Sequence, residues 1–600
     1  MMMAATVLEK LKGTDYAMIH FYHSPLFIAL WGLAAICGLV YIFSRKMRKS
    51  PFTLGLHLAL AVILAGALVT HLSAESGSVC LLPGVKTDCE ELPFSITLDR
   101  FRVEYHPGSE APSDFVSEVT IDNGTKKKNL VISMNKIGKV DGWRLYQADY
   151  DKKNGSSTLA FSHDPWGIGI SYTGYLLLLI CMVGFFFQKN SAFKAALRRL
   201  LSSAALLLLF VPDMSAQDLG DLYLYYGDRI CPMQTLSRHY DSDELLENRA
   251  ALKIFPIADS LGKVSWYACD DELPADLDYE EWLFVRKSLD LLRTEIKNGN
   301  KNSAEELIGK IRQYQRKKAA EVIPSDRAFK AEKFYNCISR PSVPFMATIT
   351  LGLIFFVLFG IRMAKGKAAP EPVRKGLVCY SGLLLCYLSL AIGLRWFISG
   401  HVPLSGGYNI MMLMAWMSCL AHLLLSKRMP LTGPLTLLLA GFTMLMASLS
   451  GPIPKITPIM PVLQSPLLSV HVLSMMLSYT LFGLAALNGI MGMLIPGKAS
   501  EKLKDISLVI LYPAVFLITA GTFIGAVWAN ISWGSYWTWD PKETWALITL
   551  MVYAAALHGN SLPFLKKGKV FHAYCIIAFL CVLITYFGVN LLLGGMHSYA

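Results

Sequence analysis

The stretch W-A-N-I-S-W-G-S-Y-W-T-W-D-P-K-E-T-W, residues 528 to 545, decides how the rest of the chain is read. Trp528, Trp533, Tyr536, Trp537, Trp539 and Trp545 crowd one short loop between two apolar segments. So much flat, polarisable surface where a chain leaves and re-enters a membrane can hold a planar molecule. The end of the stretch also reads as a helix start. Asp540 stands at the N-cap, Pro541 at the first helical position and Glu543 three residues after the cap, a capping box that gives both carboxylates a structural role. An interfacial belt, in which Trp and Tyr sit at headgroup level, explains two or three of these aromatics but not their density.

Outward from the loop, the chain is that of a membrane protein with soluble parts: 600 residues, 54% hydrophobic and 17% charged. The formal charge of +12 suggests nucleic acid only until its distribution is considered. Basic residues gather in short loops, Arg45 to Lys49, Lys189 to Arg199, Arg362 to Lys375, Lys427 and Arg428, Lys498 to Lys504 and Lys566 to Lys569. Under the positive-inside rule these loops are cytoplasmic. With roughly 20 apolar residues needed per span, twelve spanning helices are expected, at about 24–43, 52–72, 168–187, 195–212, 344–363, 377–397, 408–425, 431–450, 469–494, 506–528, 543–560 and 571–593. Alternating them from the basic loops puts both termini, two large insertions and the tryptophan loop outside. The segment 191–217 imitates a signal peptide and is read as a span, because its removal would invert every later loop.

The expected fold is therefore a polytopic α-helical membrane protein with two extracytoplasmic insertions. A helix pair occupies 1–72, and a β domain occupies 73–167. In the latter, runs such as F-S-I-T-L-D-R-F-R-V-E-Y and N-L-V-I-S-M-N-K alternate between turn signals D-N-G and K-N-G. Further helices fill 168–217. A second, mainly helical insertion covers 218–340, where E-E-W-L-F-V-R-K-S-L-D-L-L and S-A-E-E-L-I-G-K-I-R repeat apolar residues at helical spacing. An eight-helix domain covers 341–600. Cys80 and Cys89, outside, are placed to close a loop by a disulfide or to serve as a dithiol. Cys231, Cys269 and Cys337 are an odd set, and the second insertion carries no catalytic constellation, so it is read as a docking surface.

Ionisable residues inside spans are functional candidates. His57 lies roughly 9 Å into its helix from the cytoplasmic end, and His558 lies roughly 27 Å inward from Asp540, in a hydrocarbon core about 30 Å thick. The two share a depth, and His422 is a depth-matched rival. On the outer side, His471 and His597 emerge beside the tryptophan loop, with His71 and His401 as rivals and His20 and His23 further off. Two imidazoles at one depth can share a metal, but imidazole alone names none, and a buried histidine is as often a satisfied core residue. Arg395 and His401, in R-W-F-I-S-G-H-V-P-L-S-G-G-Y-N, are placed to meet the anionic groups of a bound ligand or to order a turn.

The sequence W-G-S-Y-W-T-W-D-P-K-E-T-W-A-L-I-T resembles the tryptophan-rich signature of haem-handling proteins in cytochrome c biogenesis, specifically the System II synthetase. Leu550 stands where the family is expected to continue with Trp. The stretches P-F-S-I-T-L-D-R-F-R-V-E-Y, D-F-V-S-E-V-T-I and W-R-L-Y-Q-A-D-Y-D are similar to the β domain of the partner component of that system, so the chain resembles a fusion of both. The resemblance implies a holocytochrome c synthase of the bacterial cytoplasmic membrane that carries haem b as transported substrate and joins it to C-x-x-C-H segments of apocytochrome c. His57 and His558 would ligate iron within the membrane, and His471 and His597 outside it. Trp528, Trp545 and Arg395 would support the porphyrin, while Trp533, Trp537, Trp539 and Asp540 shape the attachment site. Thiol-reducing membrane or periplasmic proteins would be partners. Haem export without attachment, a System I haem lyase and a haem-holding electron carrier are the alternatives.

Overall fold

The computed structural model describes residues 1–44, 51–151, 153–188, 219–236, 249–258, 263–339, 342–427, 429, 431–449, 455–559 and 561–593. The chain begins with helix α1 (Met2–Lys12) and a short turn, Thr14–Ala17, that widens into a π-helical stretch, Met18–Tyr22. Helices α2 (Pro25–Ser44) and α3 (Pro51–Ser73) follow, and α4 (Gly167–Phe187) runs along α3. Small residues permit that closeness. A Cβ on Gly66 would meet the Ser171 backbone, and one on Gly174 would meet Ile63.

Between α3 and α4 lies a β-sandwich. One sheet has the order β1 (Glu75–Leu81), β8 (Ser156–His163), β7 (Trp143–Asp151), β6 (Gly138–Val140); the other runs β2 (Lys86–Thr87), β3 (Ser95–Tyr105), β4 (Pro112–Asp122), β5 (Lys127–Ser133). The expected turns form, with Gly124 at φ 81° between β4 and β5 and Gly155 at φ 63° between β7 and β8. Alternate residues of both sheets, among them Leu81, Ile96, Leu98, Ile121, Leu145 and Phe161, close the core, as period-two alternation requires. Cys80 and Cys89 are free thiols, so the loop-closing disulfide is not formed: Cys80 sits inside β1 opposite Thr158 while the Cys89 thiol faces Glu91.

The second insertion combines two hairpins with its helices. Strands β9 (Tyr223–Tyr225) and β10 (Ile230–Pro232) pair, as do β11 (Phe255–Ala258) and β12 (Val264–Tyr267), beside α5 (Tyr279–Lys297), α6 (Lys301–Lys318) and α7 (Asp326–Ile338). Asp278 caps α5 and Ser325 caps α7 through backbone N–H groups. Arg229 grips Glu332 with both terminal nitrogens and donates its Nε to Ile456 O at 2.7 Å, which fastens this insertion to the membrane part.

The remaining helices are α8 (Ser342–Ala364), α9 (Glu371–Ser399), α10 (Gly407–Leu425), α11 (Thr432–Leu449), α12 (Pro466–Leu494), α13 (Lys498–Trp533), α14 (Pro541–Leu557) and α15 (Gly568–Leu583), the last continuing as a π-helix over Ile584–Leu593. Helices α10 and α11 are buried nearly all round, whereas Leu33, Ile36 and Val40 of α2 and Leu353 and Val357 of α8 stand exposed, as a lipid-facing surface demands. Ten helices among the described residues are long and apolar enough to span. Of the twelve expected, 195–212 lies outside the described residues. Helix α14 falls short because His558 ends it after 17 residues.

The two ends of the chain pack together. Trp545 of α14 donates to Thr6 of α1 at 3.2 Å, Tyr41 of α2 bonds Ser561, and α3 and α4 meet α13 through Ile63, Met182, Phe516 and Phe523.

Candidate functional site

The loop between α13 and α14 starts at Gly534, whose φ of 83° ends α13 in the left-handed region. A Cβ there would also lie 2.5 Å from the Tyr146 ring of the β domain, so both backbone and neighbour require glycine. Asn530, with its amide oriented by its neighbours, accepts from Arg144 and Tyr172 and donates to Gly534 O. Both halves of the chain thus hold the loop. At its far end Asp540 accepts from Lys542 N at 2.8 Å as the N-cap. Glu543 reaches past the cap to the Thr538 N–H and hydroxyl rather than to the backbone of Asp540. The expected capping box is therefore opened by two residues, and Glu543 instead braces the loop.

The aromatics divide into two groups. Trp528, 2% exposed, packs edge-on against Trp533 and beside Val462; Trp545 is buried against Ile548 and Val589. These two indoles are core, each turned to the buried side of its helix, Trp528 in α13 and Trp545 in α14. Trp533, Trp537 and Trp539 stay partly exposed. Trp539 adopts φ 58°, an outlier for a bulky residue, and its indole stacks on Tyr22 at 5.0 Å and 11°, with Phe27 edge-on at 4.9 Å. Asp540 is buried and engaged as a cap.

The histidines fall into place by pairs. His57 of α3 and His558 at the end of α14 have ring centroids 6.0 Å apart and planes at 83°. Each Nδ1 faces the carbonyl one turn back, Thr53 O and Ala554 O, both at 2.8 Å. A nitrogen donating to a carbonyl holds the proton, so Nε2 of each ring carries the lone pair that binds metal. His471 of α12 follows the same rule, with Nδ1 at 2.7 Å from Gly521 O of α13. It lies against Gly521 and Gly525, where an added Cβ at Gly525 would meet its ring at 2.5 Å. His597 lies outside the described residues. His422 is buried beside Thr432 and Gly433, between α10 and α11, and His401 has both ring nitrogens facing carbonyls, of Val402 and Thr457. His20 stacks on Tyr16.

A second imidazole pair also forms. His23 and His71 have centroids 5.6 Å apart at 54°. Burial, and then the neighbouring His71, lower the pKa of His23 and favour its neutral form. Sequence reasoning kept His71 as a rival outer ligand and set His23 further off, without pairing them. The signal was present, since His23 precedes α2 and His71 ends α3, and consecutive antiparallel helices bring such ends to one level.

Arg395 is 5% exposed, donates to Tyr335 OH at 3.0 Å and lies over the Tyr408 ring at 5.0 Å. It walls a cavity of about 260 Å³ that is also lined by His401, Asn409 and Lys455. Through Tyr335 it joins α7 of the second insertion to α9 and α10.

Ten helices among the described residues that are long and apolar enough to cross a membrane, a β domain inserted between α3 and α4 and imidazoles paired across the two halves describe a polytopic membrane protein. Residues 404–597 match the model of the Cytochrome C assembly protein family, and residues 51–187 match the ResB-like family. The cytochrome c biogenesis protein CcsA of Pyropia yezoensis is 33% identical over 265 residues, which cover 35% of this chain and 83% of that protein. CcsA of a Synechococcus species is 31% identical over 305 residues, 43% of this chain and 98% of the relative. The chain belongs to the cytochrome c assembly family, with a ResB-like segment joined to a CcsA-like one. It is also similar to protein NrfI of Wolinella succinogenes, 27% identical over 85% of this chain and 71% of that protein.

Proposed function

We propose that the chain carries haem across the cytoplasmic membrane and attaches it to C-x-x-C-H segments of apocytochrome c on the outer side. The observation that carries this reading is the His57–His558 pair. Two trans imidazoles on one metal have ring centres roughly 6 Å apart, since each nitrogen is about 2 Å from the metal, and the measured separation is 6.0 Å. Both ring planes contain the ligand axis in such a site, so any interplanar angle is compatible.

Haem b enters from the cytoplasmic side and is held at His57 and His558. At the outer site His471 and His597 take its iron, the exposed faces of Trp533, Trp537 and Trp539 support the macrocycle, and Arg395 with Lys455 offers positive charge to the propionates. The attachment is an addition without net redox change. Each thiol of a reduced C-x-x-C-H segment adds across one vinyl group: a C–S bond forms at one carbon, the thiol proton passes to the other, and the C=C π bond is lost. Thiol-reducing proteins of the membrane or periplasm supply the reduced segment. The chain's contribution is positioning of the vinyl edge. Trp528 and Trp545 act from within the core, by fixing the helices that frame the loop, and Asp540 by fixing the start of α14.

The test is co-expression with an apocytochrome c in a host that lacks its own maturation system. Covalently bound haem is expected, and its absence would remove the synthase reading in favour of export alone. His57→Ala or His558→Ala should lower the yield about 10–100-fold, with exogenous imidazole restoring part of it.

A further inference from the structure

Helix α3 carries an imidazole near each end. His71 lies just under four turns beyond His57, so the two rings project from nearly the same face, roughly 21 Å apart along the axis. At the inner end His57 faces His558; at the outer end His71 faces His23. The outer pair is fastened to the tryptophan loop on both sides. Tyr22, beside His23, stacks on Trp539, and Thr70, beside His71, accepts a hydrogen bond from Tyr536 OH at 2.9 Å.

The composition of this pair selects its ligand. No cluster of three or more His, Cys, Asp or Glu side chains suited to a metal ion exists among the described residues. Structural zinc wants four protein ligands and catalytic zinc three, whereas haem iron needs two axial imidazoles and takes its other four bonds from the porphyrin. The 5.6 Å separation is close to the roughly 6 Å that one shared metal requires. Both rings are exposed at the rim, so a macrocycle can enter without displacing packed side chains.

We propose that His23 and His71 form a further bis-imidazole haem site, a station on the outer rim where haem leaving His57 and His558 is held before it reaches His471. The site rests on the reading of the chain as a haem carrier. It divides the transfer into a step along one face of α3 and a step across the tryptophan loop, with Trp539 and Tyr536 joining the station to the place of attachment.

Full-length protein with His57, His471, His558 and His597 all replaced by Ala lacks every ligand assigned under the carrier reading. Titrated with haemin, it should still develop a six-coordinate low-spin spectrum, and adding His23→Ala and His71→Ala should abolish it. If that background binds no low-spin haem while the native chain does, the station is overturned and the carrier reading stands. If the native chain binds none either, both fall. A milder variant guards against misfolding of the multiple one. His71→Gly in the otherwise native chain should lower holocytochrome yield about tenfold, with imidazole in the medium restoring it. An unchanged yield, or a loss that imidazole does not repair, overturns the proposal.

Discussion

Tyr22 lies flat on Trp539, their ring centroids 5.0 Å apart and their planes 11° from parallel, so the segment before α2 is the floor on which the tryptophan loop rests. Trp539 reaches it only by holding φ at 58°, a conformation that costs an L-residue about 1–2 kcal/mol. An aromatic pair contributes about 0.5–1.5 kcal/mol beyond area burial, so contact and strain nearly offset one another. Trp539→Gly, which removes both, should therefore be about 1 kcal/mol more stable than Trp539→Ala, which keeps the strain. Both should lose cytochrome maturation. Thermal unfolding in detergent, read beside holocytochrome yield, checks the pair, and equal stability of the two variants would show the backbone to be unstrained.

His471 sits where two glycines leave room for it. Gly525→Ala places a methyl carbon 2.5 Å from its Nδ1 and must push the ring away from Gly521 O. Loss of most of the low-spin haem signal assigned to the outer site is expected, with the inner pair retained. Gly393→Ala is the control, since nothing lies within 4 Å of the added carbon in α9 and helix propensity alone favours it by about 0.8–1 kcal/mol.

Arg395 should prove a joint as well as a charge. Its guanidinium lies over Tyr408 and Tyr335 and donates to Tyr335, a desolvated arrangement in which each cation–π contact contributes about 2 kcal/mol. Arg395→Ala is expected to lower the thermal midpoint and to expose Cys337 and its neighbours on α7 to faster proteolysis. Unaltered melting with haem loss alone would assign the residue wholly to the porphyrin.

Thiol reactivity separates the two soluble parts. Burial pushes the Cys231 thiol up to about 12, so its thiolate forms only far above neutral pH and maleimide at pH 7 should leave it unlabelled. Cys80 is exposed and free and should label within minutes under the same conditions. Labelling of Cys80 only after reduction would reveal the disulfide that the structure lacks. Mass spectrometry of labelled peptides reads each site.

The spans and the β domain were legible because their periods are strong: long apolar runs in one case, alternation with D-N-G and K-N-G turns in the other. The closeness of His57 to His558 was legible because helical rise converts sequence into distance. The roles of the indoles did not follow from composition, since Trp528 and Trp545 share the loop's chemistry but belong to the helices either side and turn inward. The hairpins at 223–232 and 255–267 were hidden by strands of three or four residues, too short to show alternation. Gly521 and Gly525 look like ordinary helix-packing glycines until the imidazole they admit is seen.

The bond from Trp545 to Thr6 and that between Tyr41 and Ser561 stitch the first helices to the last. None of these four residues lies between Gln188 and Leu219, so cutting the polypeptide there would leave both bonds in place. Joining the halves in one translation product then serves chiefly to raise the concentration at which they meet, guaranteeing equal numbers of each and sparing them a search through the bilayer.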